Sequence, residues 1–150
     1  MQPYVAVVGA GEASAEEIAV AEEVGRLLAE HGAVLVCGGL GGVMEAACRG
    51  AKEAGGSTVG ILPGRDRAAA NAYVDVAIAT GLGEARNALV VRAADVLIAV
   101  GGGYGTLSEI ALGLKSGTPV VGIGSWELAG RPLTEARDAP EAVELALGLR

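Results

Sequence analysis

Residues 96–109 read Val96-Leu97-Ile98-Ala99-Val100-Gly101-Gly102-Gly103-Tyr104-Gly105-Thr106-Leu107-Ser108-Glu109. The first five are apolar without alternation, the pattern of a strand covered on both faces. A glycine-rich turn follows, and a helical pattern then runs from Thr106 to Lys115. Strand, glycine turn and helix in that order form the first part of a βαβ unit.

The same alternation continues in both directions. Strands are expected at Tyr4 to Val8, Val34 to Cys37, Thr58 to Ile61, Val74 to Ile78, Val96 to Val100 and Val120 to Ile123. Helices are expected at Ala15 to Glu30, Val43 to Ala54, Arg86 to Ala94, Thr106 to Lys115 and Pro140 to Leu149. In the longest of these Ile18, Ala21 and Val24 to Leu28 form an apolar stripe, with Ser14 as N-cap and Glu17 completing a capping box. Pro132 and Pro140 frame a surface loop. The pattern predicts an α/β, Rossmann-like, doubly wound fold: a mainly parallel sheet of about six strands with helices on both faces. Right-handed crossovers then bring every strand-to-helix turn to one edge of the sheet.

A chain of 150 residues, 51% of them hydrophobic, is long enough for one core and is read as one domain, residues 1–150. The apolar supply is Ala, Val, Leu and Ile, with one Trp, three Tyr and no Phe, and these small side chains suit close helix-on-sheet packing. Arg92, Asp95 and Lys115 interrupt the longest apolar stretches, and the start lacks a basic region, so no membrane association is expected and the cytoplasm is the expected location. The net charge of −7, with eleven scattered basic residues, argues against nucleic acid as a partner. Cys37 and Cys48 have no CxxC context and only one histidine, His31, for company, which predicts buried thiols rather than a metal or disulfide site.

Three turns carry the chemistry: Gly9-Ala10-Gly11, Gly38-Gly39-Leu40-Gly41-Gly42 and Gly101 to Thr106. Glycine lets backbone approach a ligand closely, and the free N–H groups at a helix start attract an anion. Gly9, Gly11, Gly39, Gly41, Gly102, Gly103, Gly105 and Thr106 are therefore the expected binding residues. A conventional NAD site is disfavoured, because Ser14 stands at the last fingerprint position and Cys37-Gly38-Gly39 offers no ribose-binding acid. The ATP P-loop is missing its Lys-Ser or Lys-Thr. Helical side chains lean toward the N-terminus, so Glu109 is aimed back at the third turn. On spacing alone, Thr106 and Glu109 equally fit a capping box.

The segment Gly102 to Glu109, GLGEARN upstream and GGLGGVMEAA after the second strand resemble the LOG superfamily, which includes cytokinin-activating phosphoribohydrolases and molybdenum cofactor carrier proteins. The similarity runs from about Val5 to Ile123. It implies that Arg86 and Glu109 occupy the catalytic positions of the enzymes, whose motif is PGGxGTxxE with an Arg-Lys pair upstream. Gly101 in place of the proline and Asn87 in place of the lysine look more like the carrier branch. Family members have often been labelled lysine decarboxylases, but Lys52 and Lys115 both fall on helices away from the expected edge and cannot supply a pyridoxal phosphate Schiff base there.

Two functions remain. One is a carrier that binds a phosphorylated nucleotide-like or pterin ligand, with Arg86 contacting phosphate. The other is a nucleoside 5′-monophosphate N-glycosidase in which Glu109 stabilises an oxocarbenium-like transition state. The resemblance implies no required cofactor, a bound molybdenum cofactor or nucleotide as ligand, and a homodimer or higher homo-oligomer formed through a helix such as Ile110 to Leu114. Arg65 and Arg67 are either contacts for a second phosphate or solvated loop residues, and Glu45 complements a helix N-terminus.

Overall fold

The computed structural model describes residues Met1–Arg150. Seven strands form one sheet in the order β4-β3-β2-β1-β5-β6-β7. They are β1 (Tyr4–Gly9), β2 (Val34–Cys37), β3 (Ser57–Leu62), β4 (Val76–Ala79), β5 (Val96–Val100), β6 (Val120–Ile123) and β7 (Thr134–Glu135). Every adjacent pair is parallel. The expected parallel, doubly wound α/β sheet is therefore present, with one strand more than expected: β7 is two residues long and lies inside the loop framed by Pro132 and Pro140. The fourth strand begins at Val76 rather than Val74, because Asn71 turns the chain there by accepting the Tyr73 N–H on Oδ1.

The helices are α1 (Ala15–Glu30), α2 (Val43–Glu53), α3 (Arg86–Arg92), α4 (Tyr104–Ser116) and α5 (Ala139–Leu149). They divide the core between two faces. On one, Val24 and Leu28 of α1, Ala47 and Cys48 of α2 and Val143 of α5 pack on Val5, Val7, Leu35 and Ile98. On the other, Val90 and Val91 of α3 and Ile110 of α4 pack on Ala6, Val8, Leu97 and Ala99. Alternate residues of β1 and β5 thus serve opposite faces, as the uninterrupted apolar runs required. Ile110 and Gly113 are buried by this internal packing, while Ala111 of the same segment is exposed and Leu112 and Leu114 are half-buried.

Glycines set the spacing of α1 and α2. A Cβ on Gly25 would fall 1.9 Å from the Ala47 carbonyl oxygen, and one on Gly50 would fall 1.9 Å from that of Glu22. The helices cross in direct backbone contact, which sets the start of α2 close to β1: a Cβ on Gly9 would sit 2.6 Å from Val43 Cγ1.

Candidate functional site

The strand order reverses at β1, whose neighbours are β2 and β5. In open parallel sheets the crevice outside the strand ends opens at such a point. A cleft of about 360 Å³ lies here, lined by Val7 to Gly11 at the end of β1 and just past it, Gly38, Leu40 and Met44 beyond β2, Gly103, Gly105 and Thr106 beyond β5, and Arg86, Asn87 and Glu109. The sequence-predicted residues Arg86, Glu109, Gly9, Gly11, Gly103, Gly105 and Thr106 are brought together. Gly39, Gly41 and Gly102 do not line the cleft: Gly39 packs on Leu62 and Gly60, Gly41 approaches the Gly11 carbonyl, and a Cβ on Gly102 would strike Thr106 at 2.4 Å. Arg65 and Arg67 are exposed and stand outside the cleft lining.

The three glycine turns are not equivalent. The start of α1 is closed by its own side chains: Ser14 Oγ accepts the Glu17 N–H at 3.1 Å and Glu17 Oε1 accepts the Ser14 N–H at 2.9 Å. At α2 the Val43 N–H is taken by the Ala10 carbonyl at 3.1 Å. At α4 the N-cap is Gly103, which has no side chain, and no side chain caps the helix. The amides of its first turn are left without helical partners and stand at the positive end of the dipole. Thr106 is the third residue of this helix rather than its cap, so the capping-box reading of Thr106 and Glu109 is corrected: Tyr104 and Gly105 extend the helix by two residues ahead of Thr106.

Glu109 is only 7% exposed and lines the cleft. Burial pushes its carboxyl up to about 7, against a smaller opposing pull from the Arg86 charge. A carboxyl so placed is neutral and ionised in comparable amounts near neutral pH. Arg86 Nε donates to the Ile61 carbonyl at 3.0 Å, and Nη1 donates to Asn87 Oδ1. A Cβ on Gly38 would come within 2.7 Å of Arg86 Nη2, so glycine at 38 makes room for the guanidinium beside the second turn.

Asn87 is buried and ties the two helices at the cleft. Its Nδ2 donates to Ser108 Oγ at 3.1 Å, and Ser108 Oγ donates to the Gly105 carbonyl at 2.6 Å. Two further supports come from a segment outside any motif. Ser125 Oγ donates to the Gly101 carbonyl at 2.7 Å, and Trp126 Nε1 donates to the Gly103 carbonyl at 3.1 Å. Nothing in the linear sequence pairs Trp126 with Gly103 or Asn87 with Ser108, whereas Met44 carries a faint signal, one residue inside the helix that follows the second glycine turn.

The departure at Gly101 now has a physical basis. Its φ is +55°, a region closed to proline, its N–H donates to the Ile123 carbonyl at 3.0 Å, and a Cβ there would lie 1.7 Å from Glu17 Oε2. The lysines stand clear of the cleft, as expected: Lys52 is paired with Asp75 at 2.9 Å, and Lys115 is exposed in the last turn of α4. No helix is long and apolar enough to cross a membrane.

Solved structures with this architecture include the molybdenum cofactor binding protein of the phototrophic bacterium Rippkaea orientalis, 40% identical with a TM-score of 0.94 over 99% of this chain and 97% of that one. The molybdenum cofactor carrier protein of Chlamydomonas reinhardtii is 38% identical with a TM-score of 0.91 over 99% and 98%. An uncharacterised protein of Archaeoglobus fulgidus is 52% identical over 119 residues, 79% of this chain and 78% of that protein. The model of the SLOG cluster4 family matches residues 2–146, and the resemblance seen in Gly102 to Glu109 thereby extends to almost the whole chain. The chain belongs to the SLOG cluster4 family.

Proposed function

We propose that this chain is a carrier that binds a phosphorylated nucleotide-like or pterin ligand, the molybdenum cofactor being the ligand its structural relatives point to. One observation carries the reading: the glycine turn at α4, whose helix start has no side-chain cap and none of whose amides from Tyr104 to Thr106 meets a backbone carbonyl, opens into the same cleft as Arg86. The phosphate would rest on the amides of Tyr104 to Thr106, with the Thr106 hydroxyl and the Arg86 guanidinium as further donors. Val7, Val8, Leu40 and Met44 would supply an apolar wall for a flat ring. Near neutral pH, Glu109 can present either a proton or a lone pair to a polar ring edge.

Asn87 favours a carrier over an enzyme. Where the related hydrolases carry a second cation, this chain has a neutral amide whose hydrogen bonds are spent on Arg86 and Ser108. In favour of the hydrolase stands Glu109, which lines the cleft with its carboxyl pushed up to about 7 by burial. As a carrier the protein releases no free base from AMP above background, and phosphate or AMP binds measurably by calorimetry. Mass spectrometry of ligand freed by denaturing the purified protein identifies a phosphorylated pterin or nucleotide. Base release by the wild type, lowered two to three orders of magnitude in Glu109→Gln, about 3 to 4 kcal/mol of transition-state stabilisation, would establish the hydrolase instead.

A further inference from the structure

Cys37 ends β2 and Cys48 lies on α2, and both are fully buried with Sγ atoms 3.5 Å apart. We propose that these two thiols form a redox-active pair, oxidised reversibly by a small peroxide to an intramolecular disulfide, and that this modification reshapes the ligand cleft. A disulfide bond is about 2.05 Å long, so closing it draws the sulfurs together by about 1.5 Å. No group of three or more His, Cys, Asp or Glu side chains stands here or elsewhere, so the pair lacks the ligand set of a closed zinc site.

The environment makes the pair asymmetric. The Gly39 N–H donates to Cys37 Sγ at 3.3 Å, and one thiol donates to the other. These hydrogen bonds, Cys48 first, push the Cys37 thiol down against burial and the Glu109 charge, with a smaller help from Arg86, while Cys48 is pushed up by the same contact and by burial. The Gly39 N–H stabilises a thiolate at Cys37, so Cys37 is the nucleophile and Cys48 the resolving thiol. The Cys37 thiolate attacks one peroxide oxygen, the O–O bond breaks, and hydroxide leaves to take up a proton, giving a sulfenic acid and water. The Cys48 sulfur then attacks the sulfenic sulfur, forming the S–S bond as the hydroxyl leaves with the Cys48 proton as a second water. Two thiols lose two electrons in all, and one peroxide becomes two waters.

The cleft is coupled through the chain itself. Cys37 immediately precedes Gly38, and Met44 stands one helical turn before Cys48, and both Gly38 and Met44 line the cleft. The turn between them is also held from outside, because Asn71 Nδ2 donates to the Leu40 carbonyl at 2.9 Å. A shift of the sulfurs must be taken up by the Gly38-Gly39 turn or by the start of α2.

The test treats the reduced, folded protein with one equivalent of hydrogen peroxide. The expected result is a mass decrease of about 2 Da, loss of both titratable thiols and recovery with dithiothreitol. Cys48→Ser should instead gain about 16 Da as a trapped sulfenic acid, and Cys37→Ser should react at least tenfold more slowly than wild type. Retention of both thiols in the folded protein, under conditions that oxidise the same chain once unfolded, overturns the proposal; so does a disulfide between two molecules. Hydrogen exchange of residues 38 to 44 in the reduced and oxidised forms decides the coupling: a changed rate supports it and identical rates sink it, whether or not the cleft binds phosphate.

Discussion

Arg86 and Glu109 line the same cleft without forming an ion pair, because the guanidinium is held by the Ile61 carbonyl and Asn87 Oδ1. The opposite charge therefore offsets burial only in part, and the Glu109 carboxyl stays near a pKa of about 7.

That elevation makes a stability prediction with a definite sign. Between the ordinary value of 4.5 and about 7 the folded protein holds a proton that the unfolded chain has lost, so stability falls as pH rises through this window. The cost is absent below pH 4.5 and complete above 7, reaching about 3 kcal/mol. Glu109→Gln should therefore unfold at higher denaturant concentration than wild type at pH 8, by up to that amount, and the advantage should vanish toward pH 4.5. Parallel urea titrations at the two pH values check it, and an equal difference at both would contradict it.

Arg86→Ala should weaken binding of AMP or inorganic phosphate by roughly 10- to 100-fold, the range for losing a charge-assisted hydrogen bond of about 1.5 to 3 kcal/mol. Thr106→Val removes a single hydroxyl and should weaken it several-fold. Calorimetry reads both, and unchanged affinity in the two variants would place the anion elsewhere.

Restoring the hydrolases' proline, Gly101→Pro, should damage this chain rather than repair it. The positive φ, the lost hydrogen bond to Ile123 and the collision with Glu17 together cost more than about 2 kcal/mol. A thermal midpoint equal to wild type would mean that the turn adopts the relatives' conformation freely.

Gly25→Ala and Gly50→Ala should each destabilise by about 1 to 3 kcal/mol, since the new methyl meets backbone rather than a movable side chain. The helices must part, which also carries Val43 away from Gly9, so phosphate affinity should fall with stability. Denaturation and calorimetry on the same samples follow both effects.

The sheet was legible because β1, β2, β5 and β6 are unbroken apolar runs, and buried parallel strands leave that trace. β7 leaves none: Thr134 and Glu135 join by two backbone pairings on the far edge, which no periodicity can announce. The motif residues around Gly103 and Arg86 were legible because they are adjacent in sequence or carry a family pattern. The capping of α4 was misread because Thr106 is a stronger cap by residue type than Gly103, yet tertiary contacts fix the helix start two residues earlier. The ties of Asn87 to Ser108 and of Trp126 to Gly103 join residues about twenty positions apart, and only the folded sheet edge makes them neighbours.

The hold of Ser125 and Trp126 on the carbonyls of Gly101 and Gly103 bears on transplanting this cradle into another protein. A peptide plane whose oxygen is pinned on one side presents the next residue's N–H on the other, so the direction of the Tyr104 amide is set partly from outside the glycine motif. Grafting residues 101 to 106 alone would move the flexible half of a two-part device. A scaffold that receives the loop without a donor in the place of Trp126 should retain its sequence signature and lose its orientation.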